Sequence, residues 1–376
     1  MSIATGPILT DSEGAEGFEQ SSLSILLRKD WILRALSIIA LGAAAVTLVL
    51  YLLSALNWRS QPFIGALFST PSLVIEDAQP FSSENWQAHE VGMQSGDTLI
   101  GMDGVEWAAD QRNEGLRETL QDYRVDERVE LIVLHDGDPG AMTCEEGQLS
   151  CLATITLQQI PLTDFGLYFV AGYVVALAIV LMGGLVLWRR TDMRSAKLFA
   201  ISVAALAIFN TGQFDLLTIY RYAPLWLVGT LVFSGVILSF GMTFPHDIEA
   251  IRRTPLLRYA PLLAAGGLSV ITLWLYNESR YELFFNLSFF LLLASVIALI
   301  AIMGWRRQYS TSPIIREQVT FVGLGTLIGF FPILVRVLWF IFSGSEILHE
   351  LIPISQVAVI FYALSVSYAI LQYRLL

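Results

Sequence analysis

The chain contains few residues of the kinds that build catalytic or metal sites. Charged residues make up only 15% of its 376 residues, and there are four histidines and two cysteines. A zinc-dependent intramembrane protease needs the motif His-Glu-x-x-His, in which two histidines one helical turn apart hold the metal. His349-Glu350 is followed by no second histidine, and the serine-protease counterpart, Gly-x-Ser-Gly, is missing too. We therefore predict no catalytic residue in this chain.

Metal, cofactor and nucleic-acid binding are disfavoured in the same way. His89 and His135 are not spaced like metal ligands, so we predict no metal ion and no cofactor. The basic residues form no patch interleaved with aromatic side chains, which would be the usual sign of a nucleic-acid-binding surface. The function classes that the composition leaves open are those of membrane proteins and of proteins that bind other proteins.

Long hydrophobic runs dominate what is present. Hydrophobic residues make up 55% of the chain and the mean hydropathy is +0.61, which is too apolar for a soluble protein of this length. A helix needs about 20 apolar residues to cross a bilayer. We predict eight spans, at 31–56, 165–188, 196–216, 223–244, 257–276, 282–304, 317–342 and 351–372. The fold class predicted from them is a polytopic α-helical membrane protein with eight transmembrane helices.

The charged residues between the runs predict the orientation. The short loops of one side hold only Arg221 and Arg280, whereas ten basic residues lie in loops of the other side: Arg189, Arg190, Arg194, Lys197, Arg252, Arg253, Arg258, Arg306, Arg307 and Arg316. Cytoplasmic loops carry the excess of Lys and Arg, so both termini are predicted to lie in the cytoplasm. The protein is predicted to be a multi-pass protein of the cytoplasmic membrane. Residues 1–27 are predicted to be a disordered tail and 28–56 to contain the first span.

The segment 57–163, called the insert below, is predicted to lie outside the cell. It holds 18 acidic and five basic residues. The only two cysteines, Cys144 and Cys151, lie there in CEEGQLSC, between strand-like runs at 129–135 and 152–158. Such a pair is typical of a disulfide that closes a hairpin in an oxidising compartment, although two free thiols are the alternative.

The stretch HEVGMQSGDTLIGMDGVEW, His89–Trp107, gives the insert a recognisable pattern. Glycines and a Gly-Asp turn precede a short strand, and Asp103-Gly104 predicts a tight hairpin turn. This order resembles the core of bacterial PDZ domains, and Pro62-Phe63-Ile64-Gly65 resembles their Pro-Trp-Leu-Gly opening. The resemblance implies an inserted extracytoplasmic PDZ-like α+β domain.

A PDZ-like domain would offer a groove between its second strand and its helix. Residues 72–77 would form that strand and 110–122 the helix, with Asp110 as its N-cap. Such grooves bind a peptide as an added strand. The groove hypothesis therefore assigns binding of an extracellular peptide or protein to Leu73, Val74, Ile75, Leu116 and Leu120. The alternative is a degenerate domain that serves as a rigid spacer.

Three phrases in the second half resemble a second family. They are SFGMTFPHDI (239–248), SPIIREQVTFVGLG (312–325) and IPISQVAVIFYALSVSYAILQYRLL (352–376). Together they are similar to the membrane sensor region of bacterial sensor histidine kinases, of which the competence quorum-sensing type also carries an external PDZ-like insert. The resemblance implies that 164–376 form a seven-helix sensor region, with Tyr373 and Arg374 in a linker to a cytoplasmic output domain.

The predicted function is therefore a signal-input module, working as a homodimer among membrane lipids. The output would be a histidine kinase, a cyclase or a phosphatase, beyond Leu376 or in a partner. A membrane scaffold or chaperone that uses the PDZ-like domain to hold proteins is the alternative. A transporter is less favoured, because no internal repeat is visible.

Two charged residues within spans form the last candidate site. Asp215 and Arg336 both fall near the end of a span on the insert side. Charge is costly in hydrocarbon and marks functional sites, so one hypothesis pairs them in an outward-facing ligand pocket. The other hypothesis is that Arg336 reaches the lipid headgroups and Asp215 lies in water.

Overall fold

A computed structural model of the chain describes residues 13–69, 72–81, 86–135, 140–144, 150–218, 220–247, 251, 253–277, 280–343 and 351–372. Eight of its helices are long and apolar enough to cross a membrane. We number these spans 1 to 8: Trp31–Arg59, Leu162–Arg189, Arg194–Leu217, Ala223–Thr243, Leu257–Leu275, Leu283–Tyr309, Pro313–Trp339 and Leu351–Gln372. The predicted number of spans is confirmed, and the predicted bounds differ from those of the structure by at most five residues.

The helices that contain these spans are longer in several places. Helix α1 is Glu13–Arg59, so residues 13–27 are helical rather than part of a disordered tail. Span 2 consists of α4 (Leu162–Phe165), a π-helical turn (Gly166–Val170) and α5 (Ala171–Arg189). Spans 3 and 4 are α6 (Arg194–Leu217) and α7 (Ala223–Thr243). A 3-10 turn (Pro255–Tyr259) precedes α8 (Ala260–Leu275), and α9 (Tyr281–Tyr309), α10 (Pro313–Ser343), α11 (Leu351–Ala358) and α12 (Ile360–Gln372) follow.

Span 3 is the central helix of the bundle. In its most apolar stretch, 89% of the residues are buried inside the protein, compared with 17% in span 5. Its buried residues include Ala196, Ala200 and Ala204, and small side chains at these positions allow neighbouring backbones to approach closely. Spans 1, 2 and 4 all pack directly against it. Spans 1 and 5 are peripheral and leave most of their apolar surface for lipid.

The insert folds into one antiparallel sheet with short helices on it. The strands are β1 (Leu67–Ser69), β2 (Val74–Asp77), β3 (Thr98–Met102), β4 (Val105–Glu106), β5 (Arg128–Leu134), β6 (Thr143–Cys144) and β7 (Ser150–Thr156). Their order is β1-β2-β3-β5-β7-β6, with β4 paired to β3. Helices α2 (Gln87–Glu90) and α3 (Arg112–Gln121) complete it. The core lies between sheet and α3, where Leu116 packs.

The predicted turn at Asp103-Gly104 is confirmed. Met102 pairs with Val105, so the hairpin loop has two residues. Both of them have positive φ, 48° at Asp103 and 79° at Gly104, as a turn that follows the twist of its strands requires. The Asp103 carboxylate accepts hydrogen bonds from the Tyr123 hydroxyl and from the Glu130 N–H. The bond to the neutral phenol raises the pKa of Tyr123.

The predicted helix cap was wrong. The N-cap residue of α3 is Gln111, and no side chain caps it. Asp110 lies one residue too early to reach the free N–H groups of the first turn and is exposed. The surface position of α3 explains why it tolerates this, because water can bond the uncapped N–H groups.

The predicted disulfide is present and joins β6 to β7. Cys144 and Cys151 are directly paired across the two strands, and they are seven residues apart in sequence. A closed loop of this size removes denatured-state entropy worth about 2–3 kcal/mol. We therefore expect C144S/C151S, or reduction, to speed amide hydrogen exchange in β6 and β7. Exchange in β3, which is two strands away, is the internal control, and equal acceleration there would contradict a local role for the bond.

Candidate functional site

The most distinctive site is the contact between the insert and one end of the bundle. We call this end of the bundle the insert end. One hydrophobic cluster contains residues of both. Phe63, Leu67 and Trp86 come from the insert, and the spans contribute Phe165, Tyr168, Phe169, Phe214 and Ile352. The insert is therefore not only tethered by its two connections but also packed onto spans 2, 3 and 8.

Trp86 lies at the centre of this contact. It is fully buried, and its ring lies 5.1 Å from that of Phe63 and 6.3 Å from that of Tyr168. Its indole Nε1 donates a hydrogen bond of 2.9 Å to the carboxylate of Asp164, in the first turn of span 2. The second Asp164 oxygen accepts a bond of 3.0 Å from the Phe81 N–H. A fully buried carboxylate is stable only with such donors, so Asp164 fixes two points of the insert to span 2.

Gly65 shows why the PFIG stretch ends in glycine. Its φ is +87°, and a Cβ there would lie 2.8 Å from the Gln87 backbone nitrogen and 2.9 Å from that of Ala88. Only glycine lets α2 approach this closely. Because Trp86 directly precedes α2, the same approach sets the position of its indole ring.

Directly under this contact, spans 2, 3 and 8 share a set of buried amides. Gln356 of span 8 donates from Nε2 to the Tyr168 carbonyl at 3.2 Å. Asn210 of span 3 donates from Nδ2 to the carbonyls of Gly172, at 3.0 Å, and Gln356, at 3.2 Å. Both side chains are 1% exposed. Amide groups that bridge helices inside a membrane protein hold those helices in one register.

Two departures from regular α-helix occur at this level. Tyr168 lies in the π-helical turn Gly166–Val170 of span 2, and such turns often mark functional positions. Span 8 is interrupted at Val359, between α11 and α12, three residues after Gln356. The Gln356 amide can approach span 2 this closely only because Gly172 has no side chain. A Cβ at Gly172 would lie 2.8 Å from the Gln356 Oε1. We call Tyr168, Gly172, Asn210 and Gln356 the amide junction.

The predicted groove residues do not line an open groove. Leu73, Ile75 and Leu116 are buried in the insert core, at 0%, 1% and 8% exposure. Leu120 packs against the same core, and Val74 is partly exposed. The alternation of a strand explains this, because Leu73 and Ile75 point to the face opposite Val74. In this conformation the three buried side chains are core residues.

The strand edge that a peptide would use is also occupied. β2 lies between β1 and β3, and β1 pairs with it through Phe68 and Ile75 and through Ser69 and Val74. Strand addition needs a free edge of N–H and C=O groups. A peptide could add to β2 only after β1 had left, and β1 packs on span 3.

Asp215 and Arg336 have different partners in this structure. Asp215 is 2% exposed, and its carboxylate accepts the N–H groups of Tyr222, at 2.8 Å, and Arg221, at 3.3 Å. Arg336 has Glu76 of β2 as its acidic electrostatic neighbour. Among the residues that the structure describes, Arg258 forms an ion pair with Asp247, and none joins Asp215 to Arg336. Asp215 thus stabilises its own loop, and Arg336 interacts electrostatically with the insert.

The opposite end of span 8 is held by an arginine. Nη2 of Arg190, directly after span 2, donates a bond of 2.6 Å to the Leu371 carbonyl. A guanidinium at a helix C-terminus satisfies a carbonyl that has no partner within the helix. Tyr373 and Arg374, predicted as the linker, lie outside the described residues.

Sequence reasoning missed the residues that join the insert to the bundle. Asp164 was assigned to the boundary of a span, although a carboxylate beside an apolar run is an available signal for a buried partner. Gln356 offers a similar signal, because it is a polar side chain within the apolar run of span 8. Trp86 lies in a polar stretch without periodicity, so nothing local predicts its burial.

Comparison with known proteins adds no further information. No family model, no curated protein and no solved structure matches this chain. The function is therefore argued from the sequence and from the geometry described above.

Proposed function

We propose that this protein is a transmembrane signal-input module whose PDZ-like insert lies outside the cell. A change in how the insert docks on the bundle is passed to span 8, and from there to a cytoplasmic output of the sensor histidine kinase kind. The observation that carries this proposal is the shared core, because it joins the insert to the first residues of span 8 through Ile352.

The contacts between the insert and span 8 form a short continuous path. Trp86 touches Tyr168, whose carbonyl accepts the hydrogen bond of Gln356. Three residues later span 8 is interrupted, and α12 then runs to the end held by Arg190. Allosteric coupling needs an element with two arrangements that the input can bias. The break in span 8, next to the amide junction, is the element that we assign to this role.

Two features support an extracytoplasmic insert. Ten basic residues predict that the loops opposite the insert end are cytoplasmic. The Cys144–Cys151 disulfide suits an oxidising compartment. The PDZ-like description follows the motif in His89–Trp107, although the buried β2 edge means that input does not act by simple strand addition.

The amide junction supplies a direct test of transmission along span 8. In Gly172→Ala the new Cβ would displace the Gln356 amide, which lies 2.8 Å away. We expect faster amide hydrogen exchange at 351–358 and also at 366–372 of the full chain in nanodiscs. The second region begins about 15 Å along the helix from Gln356, at ~1.5 Å per residue. Mass spectrometry of peptides from these two regions measures the effect.

Gly184→Ala is the matched control, because a Cβ at Gly184 meets no atom within 4 Å. It lies in the same helix, so alanine brings the same gain in helix propensity at both positions. A faster exchange at 351–358 that leaves 366–372 unchanged would show that span 8 does not transmit, and the proposed role of this helix would then be wrong.

A further inference from the structure

A polar cleft opens at the end of the bundle opposite the insert. It has a volume of about 380 Å³ and lies where span 3 begins and span 4 ends. Ligand sites in proteins have volumes of roughly 300–1,000 Å³. Its polar lining includes Arg194, Ser195, His246 and Asp247, and Ile370 of span 8 forms part of its wall.

Among the residues that the structure describes, the charges in and next to the cleft sum to an excess of positive charge. Asp247 is the acidic lining residue, and its carboxylate lies 3.6 Å from the Arg258 guanidinium. Arg306 also acts electrostatically on Asp247. Arg194 adds a further cation in the lining itself. The described groups, one carboxylate and three guanidiniums, favour an anion over a cation.

The wall formed by the end of span 4 is held in place. Arg306 donates from Nη1 to the His246 carbonyl at 2.6 Å and from Nη2 to the Met242 carbonyl at 2.8 Å. Phe244 stacks on Phe240 with ring centroids 4.9 Å apart. A cleft whose wall is fixed by such contacts keeps its shape without a ligand, which lowers the entropy cost of binding.

We propose that this cleft binds a phosphate group, with Arg194 as its main cation and Ser195 as a hydroxyl donor. An arginine fork matches phosphate oxygens and donates two parallel hydrogen bonds. The group comes from an anionic phospholipid headgroup or from a soluble phosphorylated compound, since the cleft lies at the level where bundle and cytoplasm meet in the proposed topology. Basic pockets between spans on the cytoplasmic side bind lipid headgroups in this way.

Binding there would regulate the proposed relay, and this part of the inference rests on the proposed function. Ile370 is buried in the wall, and the next residue, Leu371, accepts the Arg190 hydrogen bond. An occupant that contacts this wall therefore stabilises the present position of the end of span 8. Bound phosphate should slow amide exchange at 366–372.

The test uses the full chain in detergent, titrated with phosphatidylglycerol and followed by native mass spectrometry. Arg194→Gln should weaken the dissociation constant of the first lipid about fivefold, the usual effect of one interfacial cation on an anionic lipid. Arg189→Gln is the control with the same charge change, since Arg189 is exposed and outside the lining. Unchanged exchange in spans 3 and 4 verifies that Arg194→Gln still folds.

The outcomes separate the two sources. Loss of phosphatidylglycerol in Arg194→Gln alone identifies a lipid headgroup. Binding of inorganic phosphate that Arg194→Gln weakens, with no preference for phosphatidylglycerol over a neutral lipid, identifies a soluble phosphate compound. Equal losses in both variants, or none in Arg194→Gln, would overturn the site. Because lipid binding is counted directly, this result is independent of whether span 8 transmits a signal.

Discussion

Replacing Trp86 by alanine is expected to release the insert from the bundle while both parts stay folded. The side chain is fully buried between Phe63 and Tyr168, and truncating a buried tryptophan costs about 3–5 kcal/mol. The Asp164 carboxylate would also lose its indole donor. A buried charge that loses a hydrogen bond is expensive, so the contact should open rather than repack around the vacancy.

Hydrogen exchange of the full chain in nanodiscs measures this release. Peptides that cover the connecting stretches around Phe63 and Phe81 should exchange at least tenfold faster, since about 1.4 kcal/mol corresponds to a factor of ten. Peptides from the middle of β5 and β7 should not change, because their pairing does not involve Trp86. The same peptides in Asp164→Asn should show a smaller increase, as an amide still supplies one acceptor oxygen.

Trp274→Ala is the control for the loss of a tryptophan. Trp274 lies in span 5 and is 81% exposed, so its ring faces the surroundings and not the insert. If Trp86→Ala exchanged no faster than Trp274→Ala near Phe63 and Phe81, the shared core would not hold the insert, and the path from the insert to span 8 would lose its first step.

The architecture of the bundle could be predicted because membrane helices have a strong local signal. Every span contains a continuous apolar stretch, and the eight predicted runs match the eight spans. Hairpin signals are equally local. The Asp103-Gly104 turn could be predicted because it requires only two adjacent residues that tolerate positive φ. The Cys144–Cys151 disulfide could be predicted from the spacing of the two cysteines.

The docking of the insert could not be predicted because it depends on contacts between distant parts of the chain. Asp164 and Trp86 are 78 residues apart, and Gln356 and Tyr168 are 188 apart. Nothing in the neighbourhood of any of the four residues specifies its partner. The same limit applies to Asp215, which bonds the loop that follows it rather than Arg336. Composition identifies a buried charge as notable, but only the fold identifies what satisfies it.

The groove hypothesis illustrates a different limit. Residues 72–77 were predicted as the second strand of a PDZ-like domain, and β2 is present at Val74–Asp77. A strand pattern does not say whether the edge is free, and here β1 covers it. The surface of the insert that contacts the spans is the one that carries Phe63, Leu67 and Trp86, and not the predicted groove.

The turn before β3 yields the second large expected effect. Asp97 and His135 are each 6% exposed, and the imidazole Nδ1 lies 2.8 and 2.9 Å from the two carboxylate oxygens. One of these oxygens also accepts the Gln94 N–H at 2.8 Å. The carboxylate thus joins the Gly96-Asp97 turn to the end of β5, which explains why this turn carries an aspartate.

Asp97→Ala is expected to destabilise the insert by about 2–4 kcal/mol in total, because each buried polar group left without its hydrogen-bond partner, His135 Nδ1 first, costs about 1–3 kcal/mol. The Gln94 N–H would lose its acceptor as well. Asp97→Asn keeps an oxygen for one of these bonds and should cost less than half as much. Exchange of the β3 and β5 amides in the full chain gives the change in the free energy of opening.

Asp110→Ala is the matched control, since Asp110 is exposed and caps no helix. It should change the same amides by less than about 0.5 kcal/mol, as most exposed substitutions do. Equal effects of the two alanine variants would mean that the His135–Asp97 pair adds nothing to the fold. A large effect confined to Asp97→Ala would make this pair the main polar support of the domain. In that case Asp97→Ala should also weaken the insert's hold on the bundle, since β2, which pairs with β1, is bonded to the Gly96-Asp97 turn through the Ile75 N–H and carbonyl.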